Sequence, residues 1–265
     1  MEKVETKKGI VGFFDILGYT NFLQNNEAEQ AARVVVDILN KIDRKVPELC
    51  SDIFDDAKSE FTDVIERIEW LVFSDTILMA LPWQQGEIDE IRFNEWVAFT
   101  MAAQVLSRLM FDVGLPLRGG ITVGEFLVEG NCFAGTPIIE AYRLSESLEL
   151  SATALSPAAQ EDLKNLFRNS GYTWSHMYQE YLVPKKNHIN EKHLVLSPTP
   201  CVMPHIGDIS QMVAESFFGN KKDVPPNVIH KLKNTEMYFR YVKMVHGHIF
   251  LENDEGFNSD KSEES

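Results

Sequence analysis

The sequence predicts an α/β protein with a helical appendage, on three observations. Apolar, β-prone runs alternate with amphipathic helical stretches as far as about residue 197. Turn and cap residues punctuate these stretches. Beyond residue 197 the alternation gives way to prolines and a helical stretch over residues 227–242. With 265 residues, 44% of them hydrophobic, the chain can bury a sizeable core as one large domain or as a domain plus an appendage.

The first strand lies in GIVGFFDILGYTNF, residues 9–22, where an apolar run delivers Asp15 to a strand end and Ile16-Leu17-Gly18-Tyr19-Thr20 turns the chain into a helix. A carboxylate followed by backbone amides at a helix start can hold a metal ion and a phosphate. An Asp ending a buried strand can equally be a helix cap. Next, Ala28, Ala31, Val35, Ile38, Leu39, Ile42 and Val46 trace one helical face, with capping-box spacing at Asn26 and Glu29 and a stop at Pro47. Residues 51–63 are polar and acidic, without the spacing or central Gly of a calcium loop, and read as a connection or short helix.

RIEWLVFSDTILMALPW then places Ser74-Asp75 between two β-prone runs, which predicts a tight hairpin with Asp75 at its tip. Residues 94–113 form an amphipathic helix capped by Asn94 and closed by Gly114. The strand over residues 117–128 carries Gly119, Gly120 and Gly124, which predicts close approach of another backbone or of a ligand. Thr136-Pro137 opens a helix from which Arg143 projects, either pairing with Glu140 or Glu146 or buried and aimed at phosphate. Ser156-Pro157 opens a further helix ending near Gly171, followed by strands over residues 178–183 and 192–196. Lys185 and Lys186, just after the first of these, form a solvated turn or reach a phosphate. His246-Gly247-His248 is too little for a metal site by itself. The last fifteen residues, with six acids against one lysine, are predicted to be disordered.

The formal charge of -15 argues against non-specific binding to nucleic acid or anionic membrane. Cys50, Cys132 and Cys201 are odd in number and far apart, so neither a disulfide framework nor a zinc site is expected, and a reducing cytoplasm fits. No leader pattern or spanning apolar run is visible, which predicts a soluble protein.

Taken together, FFDILGYTNF, FSDTILMA, PLRGGITVGEF and AGTPIIEAYRLSES resemble, in order and spacing, the class III nucleotidyl cyclase domain. The resemblance covers roughly residues 9–196. It implies a ferredoxin-like core, an antiparallel-rich sheet with helices on one face, and a homodimer with shared active sites. The implied division is a cyclase domain over residues 1–197, a C-terminal extension over 198–250 packing on the core or on the partner, and a tail over 251–265. It further implies that Asp15, Asp75 and the Ile16 carbonyl hold two divalent ions per site, Mn2+ or Mg2+. The amides of Leu17, Gly18, Tyr19 and Thr20 would lie under the triphosphate of a nucleoside triphosphate, Lys185 would be a further substrate contact, and Arg143 falls on the family's transition-state arginine.

Departures from the pattern concern the base. Purine cyclases have an asparagine where this chain has Ile139, and a lysine or glutamate where it has Leu71; the usual polar partner of that residue falls at Cys132. Leu71 cannot make the hydrogen bonds that select a purine. RGGITVG followed by GTPIIEAYRLSE is most similar to the Pycsar pyrimidine cyclases of bacterial antiphage defence, which implies conversion of UTP, or CTP, to a cyclic nucleotide sensed by a separate effector. An adenylate or guanylate cyclase with a divergent base pocket, and an inactive cyclase-like binding or interaction module, remain open alternatives.

Overall fold

The computed structural model describes residues 5–53, 60–84, 89–170, 173–186, 188–198, 208–223 and 225–257. The first strand, β1 (Lys7–Ile16), is apolar on both faces and sits near the middle of the sheet. A helical layer follows: α1 (Tyr19–Asn25), α2 (Ala28–Ile38), a 3-10 turn, α3 (Ile42–Ile53) and α4 (Glu60–Glu66). It leads to the hairpin of β2 (Glu69–Phe73) and β3 (Thr76–Pro82), then to the long helix α5 (Asp89–Asp112) and β4 (Leu117–Glu129).

Through β4 the chain therefore runs strand, helices, two strands, helix, strand, and these four strands lie in the order β2-β3-β1-β4, antiparallel at every contact. That is the ferredoxin-like arrangement, in which each crossover returns to the sheet over the same face. Beyond β4 the sheet continues through β6 (Thr153–Leu155), β8 (Asn190–Leu196) and β7 (Tyr178–Pro184), with β4–β6 parallel and the rest antiparallel. β5 (Cys132–Ala134) pairs only with the far end of β4.

Alternation along β1 divides the core. Ile10, Phe14 and Ile16 face the main cluster, built with α3, α5 and α7 (Pro157–Ser170), whereas Val11 and Phe13 face a smaller one on the other side. That second face is covered by α6 (Thr136–Ser147), so the expectation of helices on one face holds for α3, α5 and α7 and is extended by α6. The glycines of β4 explain how α6 lies so close. A Cβ on Gly120 would sit 2.3 Å from the Ala141 carbonyl oxygen, and one on Gly124 would sit 2.6 Å from Pro137.

Several boundaries differ from expectation. Asn26 caps no helix start: its buried amide donates to the Phe22 carbonyl and, at 2.5 Å, to that of Asn220. Pro47 lies inside α3 and does not stop it, although it cannot donate to the Asp43 carbonyl one turn back. α5 begins at Asp89, so Asn94 is an interior residue, and the acids Asp89 and Glu90 occupy its first turn instead.

α8 (Ile209–Phe218) and α9 (Pro226–Phe257) form the extension, and α9 is helical through residues 251–257, where disorder was expected. The extension packs on the core. Ile209, Val213, Phe217, Tyr238, Phe239 and Val242 share a cluster with Leu17, Phe111, Leu148, Val183 and Val195. Cys201 and residues 258–265 lie outside the described residues, as do the side chains of His246 and His248. Among the described residues, no helix is long and apolar enough to cross a membrane.

Candidate active site

β1 ends where its buried run meets Asp15, opposite Thr76 of β3 on one side and Arg118 of β4 on the other. The β2–β3 hairpin closes through Ser74 and Asp75, with Ser74 in the left-handed region (φ 57°) that a two-residue turn requires. The Ile16 amide donates to the Asp75 carbonyl at 2.9 Å, tying the hairpin tip to the end of β1. Asp15 and Asp75 are thus brought to one end of the sheet, as the sequence predicts.

Sequence reasoning missed the residue that holds Asp15. Arg118 is only 7% exposed, and its guanidinium donates to Asp15 Oδ2 at 2.7 Å. The same guanidinium pairs with the Glu146 carboxylate at the end of α6, and Lys186 Nζ reaches Glu146 from the other side at 3.1 Å. A signal was present: a lone arginine in an apolar, glycine-rich strand needs an acid, and this strand neighbours the one that carries Asp15.

The charges follow from this packing. Burial pushes the Asp15 carboxyl above its ordinary value; Arg118 pulls it down, while Asp75 and Glu146 push it up again. At Glu146 burial also disfavours the charge, but Lys186 and Arg118 outweigh it and hold the carboxyl low. Burial and then the Asp75 charge raise the Tyr19 phenol, which places that ring beside the hairpin tip.

The other predicted residues divide. Gly18 and Thr20 are exposed, whereas Tyr19 is buried and Leu17 sends its side chain into the cluster shared with the extension. The Leu17 amide already donates to the Pro116 carbonyl at 2.9 Å. It is therefore not a free phosphate donor, and the predicted set shrinks to Gly18, Tyr19 and Thr20.

Lys185 pairs with Glu191, so it is a structural residue of the β7–β8 turn in this chain, and its neighbour Lys186 is the lysine that joins the site. Leu71 packs on the second face with Val11, Phe13 and Leu78. Cys132 is exposed opposite Glu129, so from Gly120, level with Phe13, β4 rises about 30 Å before reaching it. Within one chain Leu71 and Cys132 therefore do not form a common pocket.

Arg143 is exposed and makes no ion pair among the described residues, because Glu146 is taken by Arg118 and Lys186. Beside it Tyr142, 46% exposed, packs edge-on against Phe13 at 5.2 Å. Ile139 is 51% and Phe73 75% exposed on the same sheet face.

Among the described residues no group of three or more His, Cys, Asp or Glu could hold a metal ion. Asp15 and Asp75 nonetheless suit a divalent cation. They are oxygen donors, the choice of Mg2+ and Mn2+. Asp15 is engaged through one oxygen only, and the burial and, after it, the nearby Asp75 charge that raise its carboxyl are costs a cation would relieve.

No protein-family model matches the chain, and no curated protein matches it. Solved structures similar to it include the adenylyl cyclase CyaB from P. aeruginosa, at 16% identity and TM-score 0.44 over 72% of this chain and 93% of that one. A bacterial light-regulated adenylyl cyclase aligns at 9% identity and TM-score 0.45, over 80% and 99%. The catalytic core of a rhodopsin-guanylyl cyclase with converted specificity, in complex with ATPalphaS, aligns at 12% identity and TM-score 0.46, over 72% and 96%. Likenesses this distant carry no argument about activity; the fold assignment rests on strand order and register.

Proposed function

We propose that the chain is a nucleotidyl cyclase that converts UTP, or CTP, to a 3′,5′-cyclic nucleotide and pyrophosphate. The observation that carries this reading is the meeting of Asp15 and Asp75 at one end of the sheet, with Arg118 holding one oxygen of Asp15. In this reading Asp15, Asp75 and the Ile16 carbonyl hold two divalent cations, Mn2+ or Mg2+. When bound, these would favour ionisation of the ribose 3′-hydroxyl and neutralise phosphate charge.

The chain's own residues do the positioning. Arg118 favours the ionised form of Asp15, against the burial that raises it, and fixes the direction of one oxygen. The amides of Gly18, Tyr19 and Thr20 receive the phosphates, so that the 3′-hydroxyl and the leaving pyrophosphate lie in line across the α-phosphorus. Arg143 is supplied by the second subunit of a homodimer, where it meets charge developing on the phosphorus oxygens. A preorganised donor of this kind is worth on the order of 3 kcal/mol. The exposure of Arg143, Ile139, Tyr142 and Phe73 on one face supports a partner there.

Leu71 supports the pyrimidine choice, since a half-buried leucine gives a purine edge nothing to bond. Of the nearby aromatics Trp70 packs on the opposite face, which leaves Tyr142 and Phe73 as the exposed rings on Leu71's side. The cyclic product would act as a second messenger in antiphage defence, read by a separate effector.

The test is product identification from purified protein with Mn2+ and all four ribonucleoside triphosphates. Cyclic UMP or cyclic CMP as the main product is expected. Conversion of ATP or GTP alone would make it a purine cyclase; nucleotide binding without any product would make it a binding module.

A further inference from the structure

Lys222 is the least expected residue of the extension. It follows α8 in the turn over residues 219–223 and is only 5% exposed, and its ammonium donates to a single acceptor, the Ser216 carbonyl, at 3.1 Å. Burial alone lowers it to about 8, with no carboxylate among the described residues to offset the cost. A methionine would fill the same space without desolvating a charge.

The location of this lysine supplies a reason for the charge. Its Cδ lies 3.4 Å from where a Cβ on Gly18 would be, and nothing else described comes within 4 Å of that point. Gly18 is itself exposed, three residues after Asp15, with φ 78°. The turn is locked in place on either side of Lys222. Asn25 donates to the Lys221 carbonyl at 3.1 Å and to Asp223 at 2.9 Å, and the Asp223 amide donates to Asn21 at 2.7 Å. Asn26 holds the Asn220 carbonyl. Three residues of the turn, Asn220, Lys221 and Asp223, are thus fastened to the segment that follows Gly18, with the lysine stem laid against the glycine.

We propose that Lys222 is a substrate-binding residue whose ammonium receives the polyphosphate of the nucleotide at Gly18, so that the C-terminal extension completes the phosphate end of the site. The inference rests on the cyclase reading for the identity of the nucleotide, but not for the binding of polyphosphate. The ammonium, two bonds beyond Cδ, rests on the Ser216 carbonyl, and rotation about the last side-chain bonds would swing it from there to an anion seated over the glycine.

Lys222→Met retains the stem and removes the charge. Inorganic tripolyphosphate, titrated by calorimetry into wild type and variant, is the probe, alongside thermal melts and steady-state kinetics with UTP. The expected result is at least a tenfold loss of tripolyphosphate affinity and a matching rise in KM, with Tm unchanged or raised. Affinity within twofold of wild type, or no tripolyphosphate binding by the wild type, would overturn the proposal. So would a fall in Tm parallel to the loss of binding, which would make the lysine structural. Lys222-dependent binding of tripolyphosphate by a protein that cyclises no nucleotide would sustain the proposal and sink the cyclase reading. Robust cyclisation with binding insensitive to Lys222 would do the reverse.

Discussion

Replacing Arg118 by methionine removes the guanidinium from a nearly buried position and leaves Asp15 facing Asp75 and Glu146 without its counter-charge. Breaking a buried pair from one side costs about 3–5 kcal/mol when the stranded charge must stay. Here it need not stay, because a carboxylate can take a proton. From the ordinary aspartate value of 3.8, protonation at pH 7 costs about 4 kcal/mol, and at pH 5 about 1.5 kcal/mol.

These figures are ceilings on the loss through Asp15, so the part of the Arg118→Met destabilisation that runs through Asp15 is expected to be about 2–4 kcal/mol at pH 7 and less than about 1.5 kcal/mol at pH 5. The direction follows from linkage. A carboxyl raised in the folded state gives stability that is present below its unfolded value and lost as pH rises through its folded one; the variant moves that loss further up the scale. Glu146, held low, behaves oppositely, with stability present above its unfolded value of 4.5 and lost as pH falls through the folded one; between pH 5 and 7 its share is nearly constant. Urea unfolding at the two pH values measures the difference. A destabilisation of equal size at both would refute the assignment of Arg118 as the counter-charge of Asp15.

Asp15→Asn and Asp75→Asn are each expected to lower turnover at least about a hundredfold, since an amide keeps the shape and loses the charge that a cation needs; Asp75→Asn leaves Tm within a few degrees, whereas Asp15→Asn lowers it because Arg118 keeps only Glu146 as counter-charge, and near-normal product formation by either would remove it from the metal set. Asp15→Asn and Arg143→Ala homodimers, each nearly inactive, are expected to recover about a quarter of wild-type activity when their subunits exchange freely, because half the dimers carry one intact site of two. No recovery despite demonstrated exchange would place both residues in one chain's site. Gly120→Ala is expected to cost about 3 kcal/mol, read as a fall in Tm of roughly 5–10 °C, because its Cβ would press 2.3 Å from the Ala141 carbonyl oxygen; an unchanged melt would mean that α6 does not bear on β4 as described.

The parts of this fold that were legible in the sequence are those governed by local pattern. The two-residue turn at Ser74-Asp75, the glycines under α6 and the apolar run ending in Asp15 each announce themselves within a dozen residues. What was illegible depends on partners distant in the chain. Asn26 has the spacing of a cap but is bonded to Asn220, and Leu17 looks like one of a row of amides until Pro116 takes its N–H. Arg118 needed the register of β1 against β4 before its acid could be named. Pro47 shows the converse, a strong local stop signal that the helix runs straight through. α8 was missed because its amphipathic period is short: Ile209, Val213 and Phe217 face the core and Gln211 and Glu215 the solvent within a single ten-residue stretch, too few repeats to stand out.

The clasp between Asn26 and Asn220 spans 194 residues. At about 5–20 residues per second, a ribosome takes about 10–40 s to cover that distance. For most of that interval β1 and the segment after it have left the ribosome, yet the groups that fasten them have not been made. A nascent chain can thus assemble its first hairpin and long helix early, but the loop at Gly18 settles only when the turn at residues 219–223 arrives. The segment after β1 is thus fastened late in synthesis, so a chain that stalls before that turn carries both acids without the bonds that hold the loop after Asp15.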